Sequence, residues 1–282
     1  MNPGLTFTKK MLFLIFACGL SFATHSAPKQ TIVYPVSIDL QDKRDLYTVA
    51  VVKVIFARSK RYQLQALPLR REYDKLLALL KRGELDIAWG GASATNIEQF
   101  RAVDFPIMRG LIGYRLFLVK KSNKDMLKNV AQLNDLKPYT IGQGSTWVEI
   151  DMFQRAGLQV VPAESYPALF SMLANGRFEL FPRSILEISN ELNTFSQYEL
   201  EVADHVALHY DFALLFYVNK NNKQLHQYLT ERLKDPVIKL QIEQLFNKYY
   251  RDSLDKYHYE HRRVIKLPNT LMPSVNDFEQ SN

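Results

Sequence analysis

At 282 residues, with 47% hydrophobic and 23% charged residues and a formal net charge of +7, the chain is long enough for two modest α/β domains and is not disordered. Its basic runs, Arg58-Ser59-Lys60-Arg61, Arg70-Arg71, Lys120-Lys121 and Arg262-Arg263, are short and scattered, which argues against nucleic acid as a partner. An anionic ligand or a nearby membrane is compatible with so mild an excess.

In chain order, Lys9 and Lys10 precede the apolar run 11–16, and a small-residue segment follows to Ala27. This reads as a secretory signal peptide over residues 1–27, cleaved after Ala23 or Ala27, with an apolar run too short to span a membrane. Cys18, the only cysteine, lies inside this leader, where Phe16 and the apolar residues beyond it fit a lipoprotein site poorly. Losing the leader removes two lysines and no acids, lowering +7 to +5. The mature chain then has no cysteine, so its stability comes from burial even in an oxidising compartment.

Residues 31–36 read as a first strand, ending at Tyr34-Pro35 at what would be the cleft edge. Residues 44–58 space Leu46, Val49, Ala50, Val54 and Ala57 helically, although their β-branched content also suits a strand. A second strand is predicted over 62–69 and a helix over 72–82, stopped by Gly83. The short apolar run Leu85 to Trp89 then breaks into Gly90-Gly91-Ala92-Ser93-Ala94-Thr95, predicting a buried strand that opens into a small-residue, hydroxyl-bearing loop. Such a loop can bring backbone N–H groups against a ligand, and in open α/β sheets the crevice beyond the strand ends is where ligands bind. Val103-Asp104-Phe105-Pro106, a bend at Gly110 and Gly113, and a strand over 114–119 ending on Lys120-Lys121 follow.

The pattern then restarts. A strand over 139–141 leads into a predicted tight turn, Gly142-Gln143-Gly144, and Thr146 to Glu149 reads as a capping box opening a helix that Gly157 ends. Further elements are a strand over 158–161, a helix over 166–175 stopped by Gly176, and a strand over 178–181. A second capping box, Ser184 to Glu187, places Arg183 between a strand end and a helix start. A strand over 212–218 returns the chain. Two helices follow, one through Leu225, Leu229 and Leu233 and one begun by Asp235-Pro236. Beyond Arg263, with Pro268 and Pro273, a surface strap or loose tail is expected.

The succession of the glycine-stopped helix, the Asp86-Ile87 strand, the Ser93/Thr95 loop, Val103-Asp104-Phe105-Pro106 and the Gly113-Tyr114-Arg115-Leu116-Phe117-Leu118-Val119-Lys120-Lys121 strand resembles the family 3 periplasmic solute-binding proteins. No single motif is specific; the weight lies in their order along nearly the whole mature chain. The resemblance implies a type II periplasmic-binding-protein-like α/β fold: a discontinuous first lobe over 28–115 and 213–262, a second lobe over 116–212, a hinge with crossings near 114–119 and 209–216, and a ligand cleft between the lobes. It implies a periplasmic receptor for a small polar or anionic solute, monomeric and without a cofactor, working with an inner-membrane transporter or a sensor protein.

For the site, Gly144, Ser145 and Thr146 join a strand to a helix start, where N–H groups and the helix dipole favour an anion. An ordinary capped turn explains them as well locally; the resemblance favours ligand contact. The third glycine of a dinucleotide fingerprint is replaced by Trp147, and no phosphate loop occurs. Tyr34, Trp89 and Trp147 can wall a ligand or simply belong to the core. Gly90, Gly91, Ser93 and Thr95 line the opposite wall. Arg183 can grip an anionic group or pair with Glu179 or Glu187. Two departures from the family count against an ordinary α-amino acid: the arginine expected soon after the hydroxyl loop is replaced by residues 96–99, with Arg101 beyond, and Arg183-Ser184 stands where an aspartate grips the α-amino group. Catalysis and metal binding find little support. Asp204, His205 and His209 precede a strand, while His258, Glu260 and His261 read as a solvated face. Glu149 and Asp151 have no paired nucleophile, and Ser145 lacks an elbow motif. The rival readings are a lyase or dehydratase on the same scaffold, which needs Glu149 or Glu187 free of capping, and a ligand-free interaction module.

Overall fold

The computed structural model describes residue 1 and residues 28–39, 42–69 and 73–268. Residues 2–27 of the expected leader and the tail from residue 269 lie outside the described residues. No described helix is long and apolar enough to cross a membrane.

In the first half, β1 (Gln30–Ser37) runs parallel to β2 (Tyr62–Leu69), joined by α1 (Leu46–Phe56). The β-branched run in α1 is helical because Tyr47, Val51, Val52 and Ile55 share one buried face, and that tertiary burial outweighs the small propensity cost. Helix α2 (Tyr73–Arg82) ends on Gly83 at φ 78°, and β3 (Ile87–Gly91) follows. The Asp86 N–H donates to the Val33 carbonyl at 2.9 Å, which sets β3 beside β1. Short α3 (Ala94–Gln99) and β4 (Phe100–Val103) complete this part. Strand β5 (Tyr114–Lys120) then leaves it, fully buried except at its last residue.

The second half begins with β6 (Thr140–Gly144), α4 (Glu149–Arg155) and β7 (Gln159–Ala163), the two strands being parallel. Then come α5 (Tyr166–Ala174), β8 (Phe181–Ser184), α6 (Ile188–Thr194), β9 (Leu200–Val202) and β10 (Val206–His209). Strand β5 pairs antiparallel with β8, β9 and β10 at the centre of this layer. The chain returns through β11 (Leu214–Asn219), which lies antiparallel between β3 and β4. Helices α7 (Lys223–Lys234) and α8 (Pro236–Lys256) pack back on α1, and β12 (Arg263–Lys266) closes the described chain. These are two α/β lobes. Phe117, Val119 and Ile87 belong to one large buried cluster that runs through both halves, while Leu80 and Tyr217 lie in a second, smaller one.

Several local expectations are corrected. Gly90 and Gly91 are strand residues of β3, paired with Leu215 and Leu214, not loop residues. Gly142, Gln143 and Gly144 likewise lie in β6, not in a turn, because close packing needs glycine there: a Cβ on Gly142 would sit 2.2 Å from the Phe178 ring. The strand before Arg183 is displaced by three residues, so Arg183 lies inside β8. Neither capping box forms. Helix α4 starts only at Glu149 behind an uncapped Val148, and α6 starts behind an uncapped Glu187. Finally, β12 is a parallel partner of β10, so the strap is a sheet strand over 263–266. Three crossings, at 111–114, 209–213 and 257–263, thus link the sheet of β5, β10 and β12 to β4, β11 and α8.

Candidate functional site

Between the lobes lies a cavity of about 990 Å³. One wall comes from the β1–α1 connection, with Ser37, Asp39, Asp42 and Arg44, together with Met108 and with Tyr249 and Tyr250 of α8. The facing wall holds Tyr166, Glu187, Glu191 and Phe195. The first wall is set by α1 packing on α8, where Tyr47 meets Tyr250 edge-on at 5.2 Å. The second is set by the start of α5 and by α6.

Beneath Tyr166 and Glu187 is a buried charge network. Arg183 donates from Nε to both Glu191 oxygens at 2.8 and 3.0 Å, and from Nη2 to Glu191 Oε1 at 2.5 Å and Glu187 Oε2 at 2.9 Å. Its guanidinium also lies 4.9 Å from the Trp147 ring and 5.6 Å from the Tyr166 ring. Arg115 donates to the Tyr210 hydroxyl and to Glu149 Oε1, both at 2.7 Å, and stands 3.9 Å from Glu187. Burial opposes the charge on Arg183, but Glu191 and Glu187 outweigh it and hold the group well above the ordinary arginine range. Burial and the Glu191 carboxylate push the Tyr166 hydroxyl far up, so it stays a donor, to Glu191 Oε1 at 2.8 Å. Satisfied geometry of this kind is what permits charges to be buried at all. Glu149 and Glu187, freed of capping, are thus held by arginines.

None of the eleven residues expected at the site borders the cavity. Tyr34 and Trp89 are buried in the core, and Trp89 Nε1 donates to Asp45 Oδ1 at 2.8 Å. The Gly91 carbonyl accepts from the Tyr217 hydroxyl and from Asn96 Nδ2, both at 3.1 Å, and Gly90 is buried beside it. Ser93 caps α3 by accepting the Asn96 N–H at 3.1 Å, and Thr95 is exposed. Gly144 is covered by the Trp147 ring, 2.6 Å from where a Cβ would stand. Ser145 and Thr146 are exposed, and the N–H groups of Ser145 and Trp147 donate to the Ala163 and Gly144 carbonyls at 2.9 Å. Trp147 stacks on Phe181. Arg183 takes one expected partner, Glu187, together with Glu191, which the sequence did not suggest. The cavity residues missed from sequence, Arg44, Tyr166, Glu191 and Tyr249, lie on four separate elements and share no motif. Among the described residues, no group of three or more His, Cys, Asp or Glu is placed to hold a metal.

Two α/β lobes, crossing strands and a cleft between them define the type II periplasmic-binding-protein fold. Solved structures with this fold include the probable amino-acid ABC transporter extracellular-binding protein YtmK from Bacillus subtilis, with a TM-score of 0.62 at 16% identity over 80% of this chain and 99% of that one. The periplasmic VFT2 domain of BvgS from Bordetella pertussis gives a TM-score of 0.62 at 14% identity, over 78% and 93%. A structure from a study of glutathione import via GshT in Streptococcus mutans gives 0.60 at 14%, over 89% and 100%. Comparison with protein-family models gives no match, nor does comparison with curated protein sequences.

Proposed function

We propose that the chain is a periplasmic solute-binding receptor, freed of residues 1–27, that closes on a small polar solute and presents it to an inner-membrane transporter or a sensor protein. The observation that carries this reading is the cleft itself, about 990 Å³ of space shared by two walls from different lobes. That volume suits a small ligand. A solute touching both walls binds the closed form better than the open form, and this differential affinity sets the closed population for a partner to read. We assign 28–115 and 213–262 to the first lobe and 116–212 to the second, with β12 joining the second. The arginine that supported an anionic solute, Arg183, already holds two carboxylates, so the reading narrows to a polar solute. An enzyme on this scaffold is disfavoured because Glu149 and Glu187 are both committed to arginines.

The test is a thermal-shift screen of the mature protein against amino acids, organic acids, polyamines and peptidoglycan fragments, with products assayed in the same incubations. A ligand at a hundred times its Kd stabilises the fold by about 2.7 kcal/mol. Absence of any shift across the screen sinks the receptor reading, and product formation replaces it with an enzyme.

A further inference from the structure

We propose that the cleft is built to hold a cationic group, a guanidinium or alkylammonium, on the face of Tyr166 beside Glu187, and that Arg44 occupies this position as an internal competitor. The inference rests on the receptor reading and names its solute class. The Arg44 Cζ stands 4.1 Å from the Tyr166 ring centroid, the shortest cation-to-ring separation among the described residues. Arg44 comes from the first lobe and Tyr166 from the second, so this contact spans the cleft. The ring is held for the purpose: its hydroxyl is tied to Glu191, while Phe170 and Phe195 meet it edge-on at 5.2 and 5.8 Å. An aromatic face fixed in this way and largely removed from water attracts a cation strongly.

Charge points the same way. Arg44 is chelated by Asp42 through Nε at 2.7 Å and Nη2 at 2.6 Å, so the two form a neutral unit on one connection. What remains below Tyr166 is Arg115 and Arg183 against Glu149, Glu187 and Glu191, an excess of one negative charge in a buried setting. A cation on the ring restores neutrality in this buried network, whereas an anion there would raise its excess to two; Lys43, Lys248 and Asp39 also border the cavity but are exposed, where solvent screens them. A carboxylate would also find each of these three arginines already paired with an acid. The ligand expected is therefore an amine or guanidine without a carboxylate, its remainder lying against Phe195 and Tyr249.

Calorimetric titration of the mature protein with agmatine, arginine and succinate tests this. Arg44→Ala removes the competitor and should tighten agmatine about tenfold. Tyr166→Leu should abolish agmatine binding in both backgrounds, and Tyr166→Phe, which keeps the ring and gives up only the hydroxyl, should retain it. Circular dichroism confirms that each variant is folded. Equal agmatine affinity with and without Arg44, or tighter binding of succinate than of agmatine, overturns the proposal. If arginine or succinate binds and agmatine does not, the receptor stands and the cation site falls. If no probe binds any folded variant, the cation site falls, and the receptor reading is decided by the wider thermal-shift screen.

Discussion

Asp86 illustrates how one carboxylate can carry a pH signature. Its Oδ2 accepts the Val33 N–H at 2.7 Å where β3 meets β1, and burial, only partly offset by that bond, raises its pKa. The folded protein then holds the proton to higher pH than the unfolded chain. The stability this contributes is full below the unfolded value near 3.8 and is lost as pH rises through the folded value. Asp86→Asn keeps an acceptor for Val33 and removes the titration. Urea unfolding at pH 3 and pH 7 should therefore show the variant gaining on the wild type as pH rises; an unchanged difference refutes the assignment. At Arg183 the effect is larger. Glu191→Leu leaves a fully buried guanidinium with only Glu187, and should cost about 3–5 kcal/mol. The double change with Arg183→Met should cost less than the sum of the single changes, read from the same unfolding curves.

At the scale of elements, the glycines separate into two kinds. Gly83, Gly157 and Gly176 end helices α2, α4 and α5 at φ values of 71–78°. A Cβ on Gly83 would meet nothing within 4 Å, so Gly83→Ala carries only the left-handed backbone strain, about 1–2 kcal/mol. Gly142 is opposite in cause. Its backbone is ordinary strand, and Gly142→Ala would drive a methyl into the Phe178 ring, an overpacking cost of about 1–3 kcal/mol. Thermal melts should find both variants weakened. Only Gly142→Ala should disturb the near-ultraviolet signal of the aromatic cluster around Phe178, Phe181 and Trp147.

The helix stops were legible because they depend on a local backbone property. Gly91 of β3 and Gly142 of β6 were misread as loop because what demands them, the Phe212 and Phe178 rings, arrives from distant sequence. The capping boxes failed for a related reason. Glu149 and Glu187 each had a local use, but Arg115 and Arg183 offered a stronger, buried one.

For the whole molecule, the lobes are coupled at more points than a simple hinge requires. The Ser253 Oγ of α8 donates to the Ile185 carbonyl at 2.7 Å and lies 3.0 Å from Ser189 Oγ. The third crossing is pinned by Arg262, whose Nη1 donates to the Ala203 carbonyl at 2.6 Å, and by the Tyr114 hydroxyl on the Tyr259 carbonyl at 2.5 Å. The closure proposed above would bend all three crossings together. Gly113 is the tightest point, since a Cβ there would lie 2.0 Å from the Tyr210 carbonyl oxygen. Gly113→Ala should therefore force the crossing strands apart, lowering the melting temperature and increasing the radius of gyration in solution scattering. An unchanged radius would show that the crossing yields locally.

Resemblance to a known family implied the two-lobed fold; by itself, the sequence determined the alternation of helices and strands, most element positions and the helix stops. Those follow from hydrophobic period, glycine and proline placement and element order, all readable along one strand of text. Only the tertiary structure decided which polar residues share the cleft. Arg44, Tyr166, Glu187 and Glu191 meet because burial makes each charge seek the nearest complementary group in space, and that neighbour is chosen by packing and not by spacing along the chain.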